Sequence, residues 1–374
     1  VVCNTKKMTV NSTKNIYQKF DWEGIEFPLL LTEINSITNH YNIPFNSSLE
    51  IFRDQDYKLI GVLKGITSNH KDFEYRENGE IKKVGFINGE TLEAKSNGLT
   101  YYINDFGISN LSIIPFKNNN QIFFEFECQI YLHDIELVNE NAESNDIICD
   151  FFLCSVPQIH FNGMTKRVNK PTPFKYRLKL DEFEISNDDI RIASSSSWDY
   201  SVLNYGEKKI IIQLVHKDLV PKNIDGILIE YRNVTSEYPT ENFRKIVQEY
   251  LSFILGSHLQ KIGSSSFNFG YKLISAKSNN PWSRIISKNG NINPIPLKNG
   301  GSDRDFFEKM LNKLFISFLN QYDKISISNC LWKLWIGQGL PIGTNLPILS
   351  SGLETLIDSY LKNNNLIPKY TKTQ

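Results

Sequence analysis

Residues Gln121–Val138 read "QIFFEFECQIYLHDIELV". β-Branched and aromatic residues dominate this run, and such residues favour strands because they pack on a pleated, half-buried surface. The same composition recurs before it, in "LEIFRD" (49–54), "YKLIGVLKGI" (57–66), "VGFINGE" (84–90), "LTYYIND" (99–105) and "LSIIPF" (111–116). It continues after it in "DIICDFFLCSV", "PFKYRLKLDEFEI", "KKIIIQLVH" and "DGILIEYRN". Asn, Gly and charged turns separate the runs, and no sustained helical period appears from about Ile25 to Arg232. The pattern predicts an antiparallel sandwich or barrel.

The periodicity then changes. In "ENFRKIVQEYLSFILG" (241–256), Phe243, Ile246, Val247, Tyr250, Leu251, Ile254 and Leu255 fall on one helical stripe. Thr240 suits the N-cap and Gly256 the C-terminal stop. A strand-like piece, "FNFGYKLISA" (267–276), follows, and a polar stretch from Lys277 to Gly301 reads as a linker. A second helical stripe runs through Phe306, Phe307, Met310, Leu311, Leu314, Phe315, Phe318 and Leu319. A third starts near Asn345 and runs to about Lys362, with Ile348, Leu349, Leu353, Leu356, Ile357, Tyr360 and Leu361 on its apolar side. The expected class is α+β. A β-rich domain at 1–235 is followed by a helix, strand and linker at 236–301 and a smaller helical segment at 302–374.

Composition narrows the function. Lys plus Arg and Asp plus Glu are each 41, so the net charge is zero. Coating of nucleic acid or membrane through overall charge is therefore excluded, and only a local patch remains. Five cysteines without a CxxC pair fit reduced thiols. Cys149 and Cys154 bracket an apolar run and read as parts of a buried strand. Neither a metal nor a cofactor is expected. No stretch approaches the ~20 apolar residues of a membrane span, and the opening "VVCNTKKMTV" lacks the apolar core of a signal peptide. A cytoplasmic location is expected.

Four stretches could carry chemistry. "GQGLPIG" (337–343) has Ile342 where a dinucleotide loop needs its last glycine, and no lysine follows Gly343 to meet phosphate. It reads as a turn between helices, with "CLWKLWI" helical before it. "MTKRVNKPTPFKYRLKL" (164–180) carries Lys166, Arg167, Lys170, Lys175, Arg177 and Lys179 with no acid among them. Lys175, Arg177 and Lys179 alternate along one strand face, as a phosphate-tracking stripe would require. The acids that follow, Asp181 to Asp189, offer the opposite reading of a neutralised, solvated face. Glu230-x-Arg232, with Asp218 or Asp225 before it, echoes a metal-dependent nuclease, but arginine stands where a titratable lysine is wanted. The serines of "ASSSSWDYSVLNYG" (193–206) lack a nucleophile-elbow glycine pattern and read as a turn, with Trp198 and Tyr200 as packing or contact residues. The six histidines show no ligand spacing.

The runs "DGILIEYRNVTSEYPTENFRKIVQEYLSFILGSHLQKIGSSSFN", "NPWSR" and "LWKLWIGQGLPIGTNLPILSSGLETLI", together with "IPFNSSLEIFRDQDYKLIGVLKG" (43–65), resemble bacterial proteins that join an ApeA-type N-terminal region to a HEPN helical domain. The resemblance implies a helical bundle at the C-terminus and a role in phage defence or toxin–antitoxin systems, where many HEPN domains are metal-independent RNases. Their Arg-x4–6-His motif is absent from this sequence. The expectation is an accessory, sensor or regulatory protein that recognises a partner or nucleic acid and docks or controls an effector. A protein partner, or a further helical segment beyond Gln374, would cover the helices at 302–374. The alternative is a nuclease whose site assembles in space from the β and helical core.

Overall fold

The computed structural model describes residues 25, 27–36, 43–44, 47–69, 75–77, 80–82, 85–86, 91–96, 98–119, 121–139, 145–154, 163–168, 175–180, 183–186, 196–215, 225–268, 273–281, 304–341 and 343–366. It is α+β, with an antiparallel β-rich N-terminal region and helices gathered toward the C-terminus.

The first nine strands are β1 (Leu29–Ser36), β2 (Ser48–Arg53), β3 (Leu59–Thr67), β4 (Tyr75–Glu77), β5 (Glu80–Lys82), β6 (Gly85–Phe86), β7 (Thr91–Ser96), β8 (Leu99–Asn118) and β9 (Gln121–Val138). In hydrogen-bonded order β9, β3, β2, β1, β7 and β8 form a cycle, because β8 pairs again with β9. This is a closed six-stranded barrel. Closure leaves these strands without an open edge, which would otherwise template aggregation. β6 flanks β8, and β4–β5 form a separate two-stranded ribbon. Leu31, Ile51, Leu63, Ile103, Phe106 and Ile130 fill the interior. Two register shifts bend the long strands, at Glu33 in β1 (φ 59°) and at Asn110 in β8 (φ 51°). Bulges of this kind increase local twist and let a strand curve round a barrel.

The remaining strands are β10 (Ile147–Cys154), β11 (Gly163–Val168), β12 (Lys175–Leu180), β13 (Phe183–Ser186), β14 (Ser196–Tyr205), β15 (Lys208–Val215), β16 (Asp225–Arg232), β17 (Gln260–Phe267) and β18 (Leu273–Asn279). They form an open antiparallel sheet in the order β13-β12-β11-β14-β15-β16-β10-β17-β18. β18 then pairs with the last turn of β9, Asp134–Val138, so β9 belongs to both barrel and sheet. Arg53 locks the junction, its guanidinium donating to the carbonyls of Ile262 (3.1 Å) and Asn279 (3.2 Å). Asn280 bridges the same seam, accepting from the Leu59 amide and donating to the Leu132 carbonyl.

The helices are α1 (Glu241–Leu255), α2 (Arg304–Gln321), α3 (Ile327–Gln338) and α4 (Leu346–Asn363). α1 begins as its sequence dictates: the Thr240 hydroxyl accepts from the Phe243 amide (3.1 Å), and Gly256 ends it in the left-handed region. The apolar stripe of α1 and Leu311 and Phe315 of α2 pack on Phe152, Ile210, Ile212, Ile227, Ile229 and Tyr231 of the sheet. The other face of the sheet buries Cys149, Phe151, Leu228 and Phe267 with Tyr57 from the β2–β3 turn. The Cys149–Cys154 run is thus a strand, and Cys149 is buried.

Two expectations need correction. Ser196 onward is not a turn but the start of β14, because β11 and β15 pair with it on either side. Serine disfavours neither strand nor turn strongly enough to resist that pairing. Lys277–Asn279 is not linker but the end of β18, held against β9 and β17. Polar side chains there suit a strand with one wet face. Among the described residues no helix is long and apolar enough to cross a membrane.

Candidate nucleic-acid interface and buried ionic clusters

The basic stretch folds as two neighbouring strands near the open end of the sheet. Lys166 and Arg167 lie on β11, and Lys175, Arg177 and Lys179 on β12; Lys170 falls outside the described residues. Cross-strand register places Lys166 opposite Arg177, Arg167 opposite Tyr176, and Val168 opposite Lys175. Lys179 stands opposite Glu184 of β13. The pairing therefore adds Lys166 to the face of Lys175 and Arg177 and sets Arg167 at a position of the other face. The β11–β12 partnership could have been anticipated from "KPTP" as a turn between two basic runs.

The glycines of "GQGLPIG" serve helix packing. Gly337 sits inside α3, where a Cβ would lie 2.6 Å from Leu349 Cδ2 of α4, so a larger residue would require the Leu349 side chain to move. Gly339 caps α3, and Gly343 takes a φ of 99° before α4 begins. α4 is fixed to α3 by Lys333, whose ammonium donates to Ser351 Oγ (3.0 Å) and Thr355 Oγ1 (2.8 Å). α3 in turn is tied to α1 through Glu249, which accepts from Tyr322 (2.8 Å) and Ser328 (2.8 Å). Trp335 is buried beside His258, their rings 5.8 Å apart, and burial lowers the imidazole pKa to about 4.

Two buried carboxylates flank the centre of the sheet. Glu230 is fully buried and takes a charge-assisted hydrogen bond from Arg232. Its Oε2 has no hydrogen-bond partner. Burial raises its pKa, and the Arg232 guanidinium opposes that rise without cancelling it. Asp150, 1% exposed, was not singled out by the sequence. Its Oδ1 accepts from Arg244 Nη1 of α1 (3.1 Å) and pairs with Lys261 Nζ of β17 (2.8 Å). Glu230 stands opposite Cys149, one residue before Asp150, so the two carboxylates lie on opposite faces and share no site.

No protein-family model matches this chain, no curated protein matches its sequence, and no solved structure matches its fold. For the nuclease alternative, Asp225 pairs opposite Cys154 in the backbone register, and Asp218 lies outside the described residues. Among the described residues no three His, Cys, Asp or Glu side chains gather to hold a metal ion. Glu230 is engaged by Arg232 and closed off from solvent, which suits an internal ion pair rather than a hydrated cation. His133 contacts Asp134 (3.2 Å), but Asn104 (2.9 Å) and Lys277 (2.9 Å) also occupy that carboxylate.

The Glu230 shift has a measurable sign. A carboxyl with a raised native pKa holds its proton in the folded state at pH values where the unfolded chain has released it. Between the unfolded and native pKa values the native state binds more protons, so this group makes stability fall as pH rises. Glu230→Gln removes the titration. Across that window the variant should gain stability relative to wild type as pH rises, read from urea unfolding at a series of pH values. A difference that stays constant with pH would show that Glu230 is not the titrating group.

Proposed function

We propose that this chain is an accessory or regulatory protein of a bacterial defence or toxin–antitoxin-type system, with a β platform for recognition and a helical end that docks an effector chain. The supporting observation is the outer face of α4. Leu346, Leu353, Ile357 and Tyr360 recur at i, i+7, i+11 and i+14, which is one helical stripe, and each is about half exposed or more. The side with Gly352 and Thr355 is already spent on α3, and Leu349, at the edge of the stripe, also reaches Gly337 of that helix. An apolar stripe about 21 Å long fits an amphipathic helix of a partner packed along it.

Leu353→Glu/Ile357→Glu tests the reading because neither residue is in the core. The thermal midpoint should stay within a few degrees of wild type, while co-purification of the effector from the native host falls at least tenfold. Unchanged co-purification overturns the docking role. A wild-type chain that elutes as a dimer, and a variant that elutes as a monomer, would instead assign the stripe to a second copy.

A further inference from the structure

The outer face of the barrel carries an apolar patch near the end of β3, where β8 and β9 run on toward their hairpin. Glu125 of β9 stands opposite Ile66 of β3 on one side and opposite Ile114 of β8 on the other. Directly opposed residues share a face of a sheet, as do residues two apart on one strand. Phe123 and Phe116, themselves opposed, therefore join that face, and their rings stack with centroids 5.9 Å apart. The alternate residues Phe126 and Ile113 pack into the barrel core, so the patch points outward. Ile66 is 54% and Ile114 59% exposed, so neither isoleucine is covered. Glu125 between them is exposed and, among the described residues, has no ion-pair or hydrogen-bond partner. The next carboxylate on the face, Glu127, is matched by Lys64 (3.0 Å).

We infer that this patch docks an arginine, flanked by apolar side chains, from a protein partner. The guanidinium is planar and always charged, so it can lie against the Phe123 and Phe116 rings while forming a fork with Glu125. Ile66 and Ile114 then meet the apolar neighbours of the arginine and keep water from the ion pair. A second copy of this chain would bring the same unpaired carboxylate to the interface, and a lipid surface would have to bury it. A cation set among apolar groups is the complement that the patch lacks. The inference rests on the reading of the β part as a recognition module, and it names the chemistry of what that module recognises.

The test uses the full chain and the fluorescein-labelled peptide Ser-Gly-Leu-Val-Arg-Val-Leu-Gly-Ser, by anisotropy. Binding should saturate with a dissociation constant on the order of 100 µM. Lysine in place of the peptide's arginine should weaken it at least threefold, and glutamine at least tenfold. Glu125→Gln should weaken binding about tenfold. Glu125→Arg should abolish it and create binding to the peptide with glutamate at its centre. Ile66→Ser/Ile114→Ser should weaken it at least fivefold with an unchanged far-UV spectrum. No saturable binding, or binding indifferent to Glu125→Gln, overturns the inference. A wild-type chain that elutes as a dimer, with an Ile66→Ser/Ile114→Ser variant that elutes as a monomer, assigns the patch to a second copy instead. Co-sedimentation with phosphatidylcholine vesicles that is lost in Phe123→Ser assigns it to a lipid surface. The α4 docking role does not depend on these results and is judged on its own experiment.

Discussion

Asp150→Ala is expected to lower the unfolding free energy by about 3–5 kcal/mol, the range for removing one partner of a buried ionic cluster. The carboxylate is 1% exposed and is the meeting point of Arg244 from α1 and Lys261 from β17. Without it Arg244 and Lys261, both partly buried, lose the anion they share at the helix–sheet seam. Most of the loss therefore comes from uncompensated charge, and a combined variant shows this. Replacing Asp150 by leucine with Arg244→Met and Lys261→Met should recover the greater part of the stability, because an apolar set of similar volume leaves no orphaned charge. Urea unfolding of the two variants decides the matter. A combined variant as unstable as Asp150→Ala would assign the loss to packing instead.

Phe315→Ala should cost about 3–5 kcal/mol, as for other large-to-small changes at closed aromatic sites. Phe315 is fully buried, and its ring centroid lies 5.1 Å from Tyr250 and 6.2 Å from both Phe243 and Tyr205. Through it α2 touches both Tyr250 of α1 and Tyr205 of β14. Its loss should appear in amide exchange first over 308–363, with the strands β15 and β16 opening later. Simultaneous opening of helices and strands would show that the helical end and the sheet are a single cooperative unit. In that case any docking signal at α4 would act on the whole fold rather than on a detachable arm.

Much of the architecture was legible because it depends on local period. The stripe at 241–256, its Thr240 cap and its Gly256 stop all appear as read, since a cap and a 3.6-residue repeat are both short-range facts. The glycine loop was legible for the same reason, as a missing lysine and a missing third glycine are visible in seven residues. Ser196–Tyr205 was misread because serine is equally at home in turns, and only the neighbours β11 and β15 make it a strand. Asp150 passed unnoticed inside an apolar run. Its partners lie 94 and 111 positions away, and no periodicity links them.

The basic residues show the division most clearly. The amino-acid sequence by itself determined that the cations of 164–180 alternate along strands and that the chain is neutral overall. It also determined that the C-terminal part is helical with apolar stripes. Only the tertiary structure decided which strands lie side by side. That pairing set Lys166 opposite Arg177, Lys179 opposite Glu184 and Met164 opposite Trp198 in the register. The physical reason is that side-chain alternation is a property of one strand, whereas register is a property of two. A shift of a single residue in register would have moved every one of these groups to the other face.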